Sequence, residues 1–171
     1  MRVLIAGCGD VGNVLAAALL QDGHIVYGLK RDTSTLPGGV QPIGADLLNP
    51  ATLTDLPADI DCLVFMPTPA SRDQAAYEAI FVQGWKNLWA GFKQLPARVL
   101  LVSSTAVYGE AGGGIVDEGT DPEPTGFNGK VLLEMEQTAA RCAQNLIIVR
   151  ISGIYGPGRE RLIMLAVSAG L

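Results

Sequence analysis

The residues with the most legible chemistry stand at the start of the chain. Arg2–Ala6 (RVLIA) is a short apolar run, Gly7-Cys8-Gly9-Asp10-Val11-Gly12 follows it, and a segment with helical spacing comes next. A strand, glycines at this spacing and a helix N-terminus form a cradle for phosphate. The first glycine permits a tight turn, the second removes a side chain where a pyrophosphate must approach, and the third lets the helix pack on the strand. Free N–H groups and the positive end of the helix dipole complete an anion site. The pattern predicts a dinucleotide-binding loop built from Gly7, Gly9, Asp10, Val11 and Gly12. The plainer alternative is a turn between packed elements.

The end of the second strand would choose between coenzymes. A carboxylate there accepts hydrogen bonds from the adenosine ribose and favours NAD, whereas cations suit a 2′-phosphate. Lys30 and Arg31 stand at that point, ahead of Asp32. NADP(H) is therefore expected, with NAD possible and a solvated basic pair as the plain reading. Asp46 could accept from an adenine amino group or equally cap a helix near Pro50. Pro67, in Pro67-Thr68-Pro69 after the fourth strand, is expected to line the nicotinamide pocket, because ligands sit at the carboxyl ends of strands. Cys8 is read as a small packing residue and His24 as structural.

These residues need a scaffold. Apolar runs at Arg2–Ala6, His24–Leu29, Val40–Ala45, Asp61–Met66, Arg98–Ser103 and Leu146–Ile151 read as strands. Helical spacing follows Gly12, with Val14, Leu15, Ala18 and Leu19 on one face and Gly23 as the stop. It returns at Pro50–Leu56, Arg72–Lys93, Asn128–Ala143 and Arg159–Ala169. Strands alternating with helices predict a doubly wound parallel sheet of Rossmann type, in three αβα layers. The glycine- and acid-rich stretch from Ala106 to Gly126 is too long to be an idle connection.

With 171 residues one domain is expected. Hydrophobic residues make up 49% and aromatics 6%, so the core must be aliphatic. Lys+Arg number 12 and Asp+Glu 17, a net charge of −5, which argues against nucleic acid held by bulk electrostatics. No apolar run reaches the length of about 20 residues that spans a bilayer. Cys8, Cys62 and Cys142 lack metal-ligand spacing and suit a reducing, cytoplasmic setting. His24 is the one histidine, so a His-rich metal site and a Ser/His/Asp triad are not expected. The last segment is apolar all round. It wants cover from a partner subunit or a missing C-terminal part, and a truncated chain is the expectation.

Several segments taken together resemble the extended and atypical short-chain dehydrogenases/reductases, the NAD(P)-dependent epimerase/dehydratase family. They are GCGDVG, GADL ending at Asp46-Leu47, VQGWKNL (Val82–Leu88), LVSSTAVYGE (Leu101–Glu110) and RISGIYGPGR (Arg150–Arg159). The resemblance covers nearly the whole chain. It implies that Ser104, four positions before Tyr108, is the hydroxyl that polarises the reacting oxygen. Tyr108 itself would support the turn. It also implies a Tyr-x-x-x-Lys pair, with tyrosine as general acid/base and lysine holding the nicotinamide ribose and lowering the tyrosine pKa. The lysine matches Lys130, which would serve as both a catalytic and a cofactor-binding residue, but Gly126 stands where the tyrosine should be. Trp85 and Trp89 are read as helix-face packing or interface residues, and the resemblance implies that this helix forms a homodimer contact. A C-terminal substrate lobe would follow Leu171.

Two classes of function stay open. One is an NAD(P)-dependent oxidoreductase, epimerase or dehydratase acting on a carbonyl or nucleotide-sugar substrate. There Tyr108, Thr125 or a water handles the proton, or different chemistry operates. The other is a non-catalytic NADP(H)-binding sensor or scaffold.

Overall fold

The computed structural model describes residues 1–109, 112–156, 160, 164 and 167–168. The first apolar run forms β1 (Arg2–Ala6), buried from Val3 onward. A strand apolar at every position needs cover on both faces. Alternation supplies it: Leu4 and Ala6 join one core cluster, Val3 and Ile5 the other.

Five more strands lie parallel to it: β2 (Ile25–Lys30), β3 (Gln41–Gly44), β4 (Cys62–Phe65), β5 (Arg98–Ser104) and β6 (Leu146–Ile151). Their order is β3-β2-β1-β4-β5-β6, so β2 and β4 flank β1 and the chain changes direction across the sheet there. The carboxyl ends of β1 and β4 therefore splay around a crevice, the place where such sheets bind ligands.

One face of the sheet is covered by α1 (Asp10–Gln21), which ends where Gly23 takes a left-handed φ of 76°. The other face is covered by one long helical stretch and by α4 (Phe127–Cys142). The long stretch comprises α2 (Gln74–Tyr77), a wide π-turn over Glu78–Gln83, and α3 (Gly84–Gly91). Three layers result, as expected. Phe65, Trp85, Leu88, Leu101 and Met135 fill the larger core, and Phe65 meets the Trp85 ring edge-on at 5.2 Å.

Local details depart from the periodicity. On α1 the stripe is rotated: Leu15 and Leu19 pack inward, but Val14 is 72% exposed and Ala18 faces solvent. Gly12 and Ala16 touch the sheet instead, because small residues let the helix sit close to β1. The helix expected at Pro50–Leu56 is a short 3-10 turn over Pro50–Leu53. The helix expected at Arg72–Lys93 runs over residues 74–91 and carries the π-turn, which brings Val82 inward beside Phe81. Strand ends shift by one residue at β2, β3, β4 and β5. The closing helix expected at Arg159–Ala169 falls largely outside the described residues.

Candidate functional site

The glycine turn leaves β1 at Gly7, whose φ of +87° few side chains adopt. A Cβ there would stand 2.5 Å from the Pro67 Cα, so the turn presses against the end of β4. The Gly7 amide donates to the Leu29 carbonyl at 3.0 Å, and the Asn13 amide donates to the Gly9 carbonyl at 2.7 Å, which starts α1. A Cβ on Gly9 would meet nothing nearer than 4.0 Å, so its outer side is open. A Cβ on Gly12 would lie 3.4 Å from both Ile5 and Cys8, the close seating of helix on strand. Turn, open approach and close seating are the three requirements of a pyrophosphate cradle.

Cys8 is buried beneath this turn, with its Sγ 3.5 Å from the Asn13 Oδ1. Burial pushes its thiol pKa up, outweighing the nearby Lys30 charge. It packs, as expected.

Two concave lobes open on either side of the turn, sharing Gly7, Gly9, Pro67 and Thr68. One has a volume of 370 Å3 and reaches Lys30, Arg31 and Asp46 over the ends of β2 and β3. The Lys30 Nζ donates to the Thr35 Oγ1 at 2.7 Å, while Arg31 is exposed with no partner among the described residues. Asp32 accepts from the Ser34 amide at 3.0 Å, and hydrogen bonding from the Ser34 hydroxyl and then its amide holds the Asp32 carboxyl below the usual range. Its carboxylate closes a turn of its own. Asp46 does not cap the Pro50 turn. Asn49 does, accepting from the Ala51 amide at 3.2 Å, and Asp46 accepts from the Leu48 amide at 2.9 Å.

The second lobe has a volume of 260 Å3 and includes Asp10, Val11 and Gly12 together with Ser103 and Ser104 from β5 and Asn128 and Leu132 from α4. The Ser104 Oγ accepts from the Ala106 amide at 3.2 Å and so caps the turn after β5. Its hydrogen remains to be donated. Ser103 is 6% exposed, and its Oγ has no hydrogen-bond partner among the described residues. Strand alternation places it with Val99 and Leu101, on the face that α4 covers.

Lys130 is not brought to the groove. It is exposed and lines neither lobe. Positions two apart on an α-helix differ by about 200°, so a helix that turns Asn128 and Leu132 toward the groove turns Lys130, midway between them, away from it. Packing of Val131, Met135 and Ala139 against the sheet fixes that phase. Gly126 precedes α4, and Phe127 lies edge-on to Tyr77 at 5.5 Å. Tyr108 is occupied elsewhere. Its hydroxyl accepts from the Arg150 Nη1 at 2.9 Å and donates to the Asp117 carbonyl at 3.0 Å, tying down the long loop. Sequence reasoning missed Ser103, Asn128 and Leu132. The signal available was the spacing of Asn128, Leu132 and Glu136, one turn apart along a single helix face.

A six-stranded, doubly wound parallel sheet with a glycine cradle at its switch point defines a Rossmann-type dinucleotide-binding domain. The profile of the NAD dependent epimerase/dehydratase family matches residues 3–169, and the chain belongs to that family. It is 30% identical to protein YeeZ of Escherichia coli K12 over 93% of this chain and 61% of YeeZ. A solved structure of a candidate NAD-dependent epimerase/dehydratase from Methylobacillus flagellatus is 36% identical. It superposes with a TM-score of 0.79 over 99% of this chain and 60% of that one. UDP-glucuronic acid 4-epimerase from Bacillus cereus, solved in complex with NAD, shares the fold at 22% identity. Its TM-score is 0.76 over 99% of this chain and 63% of its own. The chain thus spans about three fifths of the length of the relatives it matches. Among the described residues no helix is long and apolar enough to cross a membrane, and no cluster of His, Cys, Asp or Glu could hold a metal.

Proposed function

We propose that the bent groove binds a nicotinamide dinucleotide, with NADP(H) preferred over NAD(H). The protein is then an NAD(P)-binding member of its family, acting as an oxidoreductase, epimerase or dehydratase on a carbonyl or nucleotide-sugar substrate. One observation carries this reading: the two lobes meet at Gly7 and Gly9, where the absent side chain of Gly9 leaves room for a pyrophosphate beside the N-terminus of α1. The adenosine half falls to the Lys30, Arg31 and Asp46 lobe, and Arg31 is free to take a 2′-phosphate. The nicotinamide half falls beside Pro67 and Ser104. When bound, the coenzyme supplies hydride exchange. Ser104 supplies a hydroxyl whose hydrogen can be donated to a developing oxyanion. The resemblance at Val82–Leu88 supports a homodimer, and the unpaired cysteines support a cytoplasmic location.

A second reading is binding without turnover. It is favoured by the α4 residues that face the groove, Asn128 and Leu132, neither of which can pass a proton at neutral pH.

Titration of the chain with NADP(H) and NAD(H), followed by a hydride-transfer assay over a panel of carbonyl compounds and nucleotide sugars, tests both. Binding with turnover that Ser104→Ala abolishes supports the first. Tight binding without exchange supports the second, and failure to bind either coenzyme overturns both.

A further inference from the structure

Three features converge at the inner lobe. Asn128 and Leu132 occupy the groove face of α4. The Asn128 Oδ1 lies 2.7 Å from where a Cβ on Gly126 would stand, so the carboxamide fills the space that a side chain at 126 would enter. Ser103 lines the same lobe with a buried hydroxyl that has no partner among the described residues.

A buried hydroxyl without a partner costs free energy that a ligand atom can recover. The Ser103 oxygen is not consumed by capping, unlike that of Ser104, and it lies on the α4 side of the sheet. Asn128 has no hydrogen-bond partner among the described residues, although its amide offers both donor and acceptor. A hydroxyl and a primary amide together recognise an uncharged group that both donates and accepts. The nicotinamide carboxamide has that chemistry.

We infer that Ser103 and Asn128 are specificity-determining contacts for the carboxamide end of the coenzyme, a neutral pair that can both donate and accept. The inference rests on the dinucleotide reading above and adds to it which residues hold the reacting ring. It also makes Gly126 part of the device: the glycine is what lets the Asn128 amide fold over the start of α4.

Two ligands separate the halves of the groove. NADP(H) carries the nicotinamide ring, and 2′-phospho-ADP-ribose lacks it. Ser103→Ala and Asn128→Leu are each expected to weaken NADP(H) binding about three- to tenfold, the loss of one to two neutral hydrogen bonds. Both are expected to leave 2′-phospho-ADP-ribose within about twofold of the parent, because its contacts lie in the other lobe. Ser103→Ala removes an unsatisfied group, so the ligand-free melting temperature should hold or rise while affinity falls, a combination that a merely structural serine would not give. Unchanged NADP(H) affinity in both variants, or equal losses for the two ligands, overturns the inference and leaves the coenzyme reading intact. A parent chain that binds neither ligand overturns that reading, and the inference with it.

Discussion

Arg150 grips Glu136 with two hydrogen bonds, 3.1 Å from Nε to Oε1 and 2.7 Å from Nη2 to Oε2. The pair joins β6 to α4, with the Glu136 side chain only 3% exposed. Paired in this way, with Tyr108 as a further neighbour, the guanidinium holds its proton even more firmly than usual. Removing one member of a buried pair strands the other charge. Glu136→Ala should therefore cost about 3 kcal/mol in urea unfolding, and Glu136→Gln distinctly less because it keeps an acceptor. A loss under about 1 kcal/mol for the alanine variant would show that water solvates Arg150 well enough to replace the carboxylate.

The glycine turn separates folding from binding. Gly7→Ala forces a Cβ against the Pro67 backbone at a positive φ, so thermal stability should fall clearly. Gly9 has an extended backbone and open space beside it, so Gly9→Ala should fold normally yet lose coenzyme affinity by at least about tenfold, since its methyl enters the phosphate path. Thermal denaturation and calorimetric titration of the two variants read these outcomes. A Gly9→Ala protein that binds like the parent would remove the cradle from the proposal.

Coenzyme preference should follow the end of β2. A Lys30→Asp/Arg31→Ala double variant should move the NADP(H) to NAD(H) affinity ratio at least about tenfold toward NAD(H), as expected for losing charge-assisted hydrogen bonds to a phosphate. Arg31→Ala alone should account for most of the change, because Lys30 is already committed to Thr35. An unaltered ratio in the double variant would separate these cations from coenzyme choice.

Two thiols carry a pH signature. Burial raises the pKa of Cys8 and of Cys62, so both stay neutral in the fold at pH values where exposed thiols, with pKa near about 8.5, ionise. The unfolded chain loses these protons first as pH rises. Their contribution to stability is thus complete below the ordinary thiol pKa and is lost as pH climbs through the raised values. Iodoacetamide labelling at pH 8.5 should be slow at both positions in native protein and fast after unfolding. Rapid native labelling of Cys8 would contradict its place beneath the turn.

The sheet and the glycine cradle were readable because each asks for particular residue types. Parallel strands need aliphatic runs such as Arg2–Ala6, and the cradle needs missing side chains at Gly7, Gly9 and Gly12. The inner lobe was less readable because helix phase decides it. A lysine at 130 matched the family pattern in letters, yet Val131, Met135 and Ala139 rotate α4 so that Asn128 and Leu132 face inward. The choice between Ser103 and Ser104 likewise depends on which face of β5 lies under α4, which adjacent identical letters do not reveal. The exposed Val14 on α1 has the same origin: Gly12 and Ala16 allow a closer approach than a larger residue would.

The π-turn over Glu78–Gln83 has a bearing on how related chains are matched to this one. Such a turn holds one residue more than the regular coil around it. A cousin with an ordinary coil there would be one letter shorter and still present its counterpart of Trp85 to the interior. Matching the two chains without a gap would pair inward-facing positions of one with outward-facing positions of the other from this bend to the end of α3, so the single blank belongs within these six letters.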